Sequence, residues 1–365
     1  MKTGKGFKAF CALMAILVIL SAAMGFVNYF GQKKLLEQSG EADDVNREDG
    51  VTIANEYKIE STLKISDAYR NEDTSKLDDR EKETLEMAKK VIASEINSDM
   101  NAYKKEYAIY KYLTSKMKND TGLLTVIPNS SADSDNPYGT LKNHTAVCVG
   151  YATTFRMFMQ MLGIECKVVH STDLTHTWDL VKLKDEWYHV DCYMDAETGN
   201  NRNFNATDEM FAESHEWNRD FFPAANGTEF NPMITGAKEI KDIYAIPGWL
   251  RDNIDKETES FSCKFKDGIK EEDERSARYI VETIINSISW DDTNGFYLEY
   301  QWVKDSQGNY ILCVFRSNNG DDLKLSDDEQ NAADEAIAEF FPDIQPEDFE
   351  GYGEDGGNGG YSCDY

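Results

Sequence analysis

The sequence predicts an α+β protein: one helix packed on an antiparallel sheet, followed by a small β-α-β-β-α module. Three observations carry this. Apolar residues recur at three- and four-residue steps from Asp79 to Met117 and again from Cys148 to Leu162. Three short runs rich in β-branched and aromatic residues follow, "CKVVHS", "HTWDLVKL" and "WYHVDCYM". Beyond Ser260 strand-like and helix-like stretches alternate once more.

The chain begins differently. Lys2, Lys5 and Lys8 precede an uncharged run over residues 9–32, and Lys33 and Lys34 follow it. A bilayer-spanning helix needs about 20 residues, so the run is long enough. It reads as a transmembrane signal anchor, with residues 1–8 cytoplasmic and the bulk of the chain exported. The alternative is a secretory signal cleaved after the small residues Ser21–Ala23, which leaves a secreted protein. Residues 33–80 are polar and acidic and read as a stalk. Within them "DDVNREDG" has its glycine one place late for a calcium loop and is read as solvated linker.

The 365 residues carry a formal net charge of −29. This excludes nucleic acid as a partner, because phosphate binding needs a basic surface. Seven cysteines are scattered without a C-x-x-C pair: Cys11, Cys148, Cys166, Cys192, Cys263, Cys313 and Cys363. That is no disulfide framework, even for an exported chain.

Residues 81–223 form the expected catalytic core. The helical stretch to Met117 ends in the turn-forming loop "PNSSADSDNPYG". In the next helix, Tyr151, Ala152, Phe155, Phe158, Met159 and Leu162 make the apolar face, and Gly163 stops it before Ile164. Cys148 therefore lies on the first turn. Unsatisfied N–H groups and the positive end of the helix dipole gather there, and both stabilise a thiolate. Such a nucleophile needs a base, and the base an orienting group. His176 opens one strand and Asp191 lies in the next. A two-residue turn at Lys184–Asp185 puts Leu183 opposite Glu186 and Trp178 opposite Asp191. His176 then shares the Asp191 face one diagonal step away, roughly 7–8 Å at the backbone. A three-residue turn would put the two on opposite faces. Asp185 is the turn residue expected to tolerate positive φ.

"AVCVGYATTF", "HTWDLVKL" and "EWYHVDCYMD", in that order, resemble the transglutaminase-like superfamily, which is related in architecture to papain-type cysteine proteases. "PYGTLKN" and "NFNATDEMFAESHEW" are similar to flanking segments of bacterial members, so the resemblance spans roughly residues 85–222. It implies a thiol-dependent acyl-transfer enzyme acting on amide bonds of peptide or protein substrates. The activity would be that of a transglutaminase, cysteine protease or deamidase, and a cell-wall or surface protein is one expected partner. It also implies Cys148 as nucleophile, His176 as general base and acid, and Asp191 as the residue that orients the imidazole. Thr177 and Asp179 stand where small or apolar residues and Asn are usual, and Cys192-Tyr193 replaces a Thr-Trp-like pair. The rival expectation is a non-catalytic extracellular module that binds peptide or cell-wall material in the same cleft. Tyr138 is a candidate oxyanion donor, Trp178 a site wall and His189 a support behind the site. His144, His170 and His215 read as ordinary satisfied polar groups. Cys148, Cys166, His170, His176, His189 and Cys192 fit no zinc spacing, so neither a metal nor a cofactor is expected.

Residues 224–257 read as a connector and 258–341 as the accessory module, its elements being "SFSCKFK", "EEDERSARYIVETIINSI", "GFYLEYQWVK", "NYILCVFRS" and "SDDEQNAADEAIAEFF". Residues 342–365 are acidic and Gly-rich and read as a disordered tail.

Overall fold

The structure is a computed structural model that describes residues 49–53, 57–120, 133–256, 258–269, 271–287 and 296–318. The expected anchor at 9–32, most of the stalk, the helix expected after residue 325 and the tail lie outside the described residues. Among the described residues no helix is long and apolar enough to cross a membrane.

Two short strands, β1 (Thr52–Ile53) and β2 (Tyr57–Lys58), pair antiparallel and lead into α1 (Leu63–Asn71). This part of the expected stalk does not stand off from the core. Ile53 and Ile59 are buried with Val149 and Ala152. The helical stretch expected over 79–117 comprises two helices, α2 (Asp79–Glu95) and α3 (Ala102–Lys116). Asp78 caps the first in a reciprocal capping box with Glu81, and the Asn101 carboxamide oxygen accepts from the Lys104 N–H to start the second. A two-residue strand β3 (Lys118–Asn119), helix α4 (Pro137–Asn143) and strand β4 (Thr145–Ala146), parallel to β3, precede α5 (Cys148–Met161).

Helix α5 is the centre of the fold. Every residue from Val149 to Met159 is buried, not only the face that periodicity marks. It ends in a Schellman motif: Gly163, at φ +74°, donates to the Gln160 carbonyl and Ile164 to the Met159 carbonyl at 2.8 Å. Against it lies an antiparallel meander of β5 (Cys166–His170), β6 (Thr177–Leu183), β7 (Glu186–Val190) and β8 (Phe204–Ala206). Between the last two strands is α6 (Cys192–Thr198). Val181, Leu183, Tyr188 and Val190 turn one face of the sheet into the core made with α2, α3 and α5.

The opposite face is covered too. After α7 (Asp208–Phe211) come α8 (Pro232–Thr235), β9 (Lys238–Ile240) and α9 (Ile246–Asp255). So the stretch expected as a connector supplies an edge strand and a core helix. Then follow β10 (Ser260–Phe265), α10 (Glu271–Ser287), β11 (Phe296–Lys304) and β12 (Tyr310–Asn318). The strands order as β11-β12-β10-β9, with β9 parallel to β10 and the other pairs antiparallel. Ile311, Cys313 and Phe315 pack against Trp178 and Leu180 of the first sheet, while Leu312 and Val314 face α9 and α10. Alternation along β12 thus builds two cores from one strand. The described residues all fall in one unit, 1–319.

Candidate active site

Cys148 is the first residue of α5. The residue before it, Val147, has no side chain able to cap, so the first-turn N–H groups have no side-chain acceptor. The Val147 N–H instead donates to the Ser134 carbonyl at 3.0 Å. The loop before α4 comes so close that a Cβ on Gly150 would meet the Ser134 oxygen at 2.1 Å. The glycine two residues past the thiol is what lets this loop seat the start of the helix.

His176 precedes β6. Its backbone is locked by Ser171: the Ser171 N–H donates to the His176 carbonyl at 3.0 Å, and the His176 N–H donates to Ser171 Oγ at 3.0 Å. Asp191 sits just past β7 and caps α6, its Oδ1 accepting from the Met194 N–H at 3.0 Å. The hairpin has the even register: Leu183 faces Glu186 and Asp179 faces Val190. One step further sets Trp178 across from Asp191, and His176 reaches it on the diagonal. Asp191 Oδ2 accepts from His176 Nε2 at 2.6 Å. That leaves Nδ1 of the imidazole for the thiol, and Cys148 and His176 form a hydrogen-bonded pair. Positive φ in the turn falls on Lys184, at +54°, rather than on Asp185.

The electrostatics follow from burial and pairing. Burial alone would push the half-buried Cys148 thiol up, but His176, with the Thr177 N–H, reverses this and holds it below the ordinary thiol value. Burial would lower His176; the charge and hydrogen bond of Asp191, with Cys148, raise it well above the usual imidazole range. Asp191 is itself 1% exposed, yet His176 and His215 hold its carboxyl far below the usual carboxylate range. A thiolate–imidazolium pair beside a buried carboxylate is the state these shifts favour.

The remaining expected residues fall in three places. Trp178 is buried and its ring stacks under the His176 imidazole, centroids 5.8 Å apart at 26°. His189 is fully buried and reaches the site through Trp178, whose Nε1–H it accepts at 3.0 Å, and through Phe211, which it stacks on. Tyr138 does not serve the site. Its hydroxyl is bound by Lys142 and Glu83 on the α2 side of α4, and its ring lies under Arg80. The expectation of an oxyanion donor there fails because α4 turns this face to α2. One residue was read as ordinary and is not. His215 Nε2 also reaches Asp191 Oδ2, at 3.2 Å. It lies in a turn after α7, where no periodicity reports position; packing on Phe211 brings it in, at 3.8 Å between ring centroids. The ligand-capable atoms of His176, Asp191 and His215 lie within 4.8 Å of one another, so this trio, not the cysteine-rich set, is where a metal ion would find ligands. Cys166, Cys192, Cys263 and Cys313 are buried thiols outside any disulfide; Cys263 and Cys313 face different cores.

Among curated proteins none matches the chain. A solved structure titled "Crystal structure of a TGase" is 18% identical over 35% of this chain and 36% of that one, with a TM-score of 0.25. The chain thus spans little more than a third of that protein's length. Residues 90–192 match the family described as the transglutaminase-like superfamily. That span holds Cys148, His176 and Asp191, and it is a transglutaminase-like domain.

Proposed function

We propose that this domain is a thiol-dependent acyl-transfer enzyme acting on amide bonds of peptide or protein substrates, with Cys148, His176 and Asp191 as its catalytic triad. One observation carries the reading: a lowered thiol at an uncapped helix start, paired to an imidazole that a buried carboxylate holds at 2.6 Å. A binding cleft has no use for a base so held. In the reaction the Cys148 thiolate attacks the amide carbonyl carbon and a C–S bond forms. The negative charge moves to the carbonyl oxygen, opposite the first-turn N–H groups of α5. His176 gives its Nδ1 proton to the leaving nitrogen, the C–N bond breaks, and a thioester remains. An amine or water then attacks the thioester while His176 takes its proton, and the thiolate is restored. An amine yields a crosslink; water yields a cleaved or deamidated product. The uncharged run at 9–32 supports placing this domain outside the cell membrane.

Incubation with a glutamine-rich protein such as dimethylcasein, followed by acid quench and mass spectrometry, tests the reading. An acyl adduct on Cys148, with ammonia or peptide amine released and with neither in Cys148→Ala, is the expected result. A wild-type Cys148 that forms no adduct with any acyl donor and alkylates no faster than an ordinary thiol would favour the binding module instead.

A further inference from the structure

Two imidazoles hold Asp191, and the chemistry above uses only one. His215 is nearly buried, with 6% of its side chain exposed. Its Nε2 lies 3.2 Å from Asp191 Oδ2, the same oxygen that His176 Nε2 reaches at 2.6 Å. On its other side Nδ1 lies 2.9 Å from Ser214 Oγ. An ionised carboxylate only accepts, so Nε2 of each imidazole donates. His215 Nδ1 pairs with the Ser214 hydroxyl, which can donate or accept. Its ring is clamped between Phe211, stacked at 3.8 Å, and the edge of Trp178 at 5.0 Å. Trp178 is also the floor under His176, so one indole sets both imidazoles.

We propose that His215 is a positioning residue of the triad. It fixes the Asp191 carboxylate so that the remaining lone pair of Oδ2 points at His176 Nε2. Two protein donors besides His176 hold the carboxylate from its two ends, the Met194 N–H on Oδ1 at 3.0 Å and His215 Nε2 on Oδ2 at 3.2 Å. Together they narrow the torsion about its last bond more than either does alone, and that torsion sets where His176 Nε2 is met. Outer partners that orient metal-ligating imidazoles and carboxylates are worth about 10–100-fold, and a carboxylate that orients an imidazole is held in the same way. This rests on the acyl-transfer reading and assigns it a fourth residue, outside the 90–192 span.

The test uses p-nitrophenyl acetate with the full chain, because its two phases depend differently on the imidazole. In the burst the thiolate attacks the ester, a C–S bond forms, and nitrophenolate departs without needing a proton. In turnover water attacks the thioester, His176 takes a proton from that water, and the C–S bond breaks. His215→Phe keeps the stacking and removes the N–H. Its burst should stay within about threefold of wild type while turnover falls about 10–100-fold, the range for a lost orienting partner. His215→Gln, whose amide N–H reaches Oδ2, should recover most of the turnover. Should His215→Phe not fold, His215→Asn makes the same comparison, since its shorter amide ends near the Nδ1 position. A folded variant with normal burst and turnover within about twofold of wild type overturns the assignment. So does a loss that is equal in both phases and unrelieved by Gln. No burst from wild-type Cys148 overturns the acyl-transfer reading itself, and this assignment with it.

Discussion

The indole N–H of Trp178 donates to Nδ1 of His189 across 3.0 Å, and His189 Nε2 donates in turn to Asp208 Oδ1 at 2.9 Å. The three form a buried relay between the two sheets, ending at the plate on which His176 rests. Burial lowers His189 below the usual imidazole range, against the pull of Asp208, which keeps Nδ1 free of a proton and able to accept. His189→Phe keeps the stack on Phe211, 4.4 Å away at 8°, but strands the Trp178 N–H. We expect a loss of about 1–3 kcal/mol in urea unfolding. Trp178→Phe added to it should cost less than Trp178→Phe alone, because no orphaned donor remains. Additivity to within about 0.5 kcal/mol would mean the two do not cooperate.

The Cys148 thiol should be distinguishable by pH from the buried thiols Cys192, Cys263 and Cys313. At pH 6 an ordinary exposed thiol is only about 0.3% ionised. Cys148 is held below that ordinary value, whereas Cys192, Cys263 and Cys313 are pushed up by burial. Iodoacetamide at pH 6 should therefore label Cys148 selectively. A folded-state thiol with a lowered pKa keeps its reactivity as pH falls, until it is protonated through that lower value. His176→Ala removes the largest stabilising partner, so the thiol should rise back towards its buried, protonated state and the rate at pH 6 should drop. Labelling that rises only above pH 8 in the wild type would show an ordinary thiol.

In the turn between β6 and β7 the strained residue is Lys184. It adopts φ +54°, a region where any Cβ is disfavoured and glycine is not. Lys184→Gly should raise stability on balance: it relieves roughly 1–2 kcal/mol of left-handed strain, offset in part by roughly 0.4–1 kcal/mol for the freer unfolded chain and by the small contribution of the exposed pair with Glu229. Asp185→Gly should give no such gain. Chemical denaturation of the two variants side by side checks the sign. Inserting one residue between them is the harsher test. Unless a bulge absorbs it, the slip swings Asp191 away from His176 and the burst-and-turnover assay should lose its second phase.

The His176–Asp191 pairing was legible in the sequence because it depends on parity. A two-residue turn and a period of two place His176 and Asp191 on one face, whichever turn type forms, and the register found is the even one. Which turn residue takes positive φ depends on turn type, and composition pointed at the wrong one. The helix start at Cys148 was legible for a similar local reason. What was not legible came from packing between segments remote in sequence. Apolar alternation in β12 announces two buried faces but not that one of them closes on Trp178. The stretch 224–257 looked like a connector because its edge strand has only three residues, although Ile246, Trp249, Leu250 and Ile254 do recur at helical steps. His215 had no local signal beyond a neighbouring Ser and Trp; a turn residue gains meaning only from what folds against it.

Glu106, one helical turn before Tyr110 on α3, makes the stability of the whole core depend on pH. It is fully buried, and burial pushes its carboxyl up to about 8, against one hydrogen bond from the Asn205 amide at 3.3 Å. Its other oxygen, Oε1, has no partner among the described residues, and neither has Asn205 Oδ1. A neutral acid, protonated at Oε1, suits such surroundings; an ionised one leaves a buried charge with a single donor. The sign follows from linkage. Between about 4.5 and 8 the folded chain keeps a proton that the unfolded chain has lost, so stability falls as pH rises, by at most about 1.4 kcal/mol per pH unit for one proton. Asp195, pushed up to about 8 by burial, adds to the same slope despite its bonds from Tyr110 and Asn203. Glu106→Gln reproduces the donor and acceptor of the neutral acid and cannot ionise. It should leave stability near pH 5 almost unchanged and raise it at pH 8 relative to wild type. Urea midpoints at the two pH values decide this: equal slopes for variant and wild type would mean Glu106 is ionised in the fold, with its charge met in some other way.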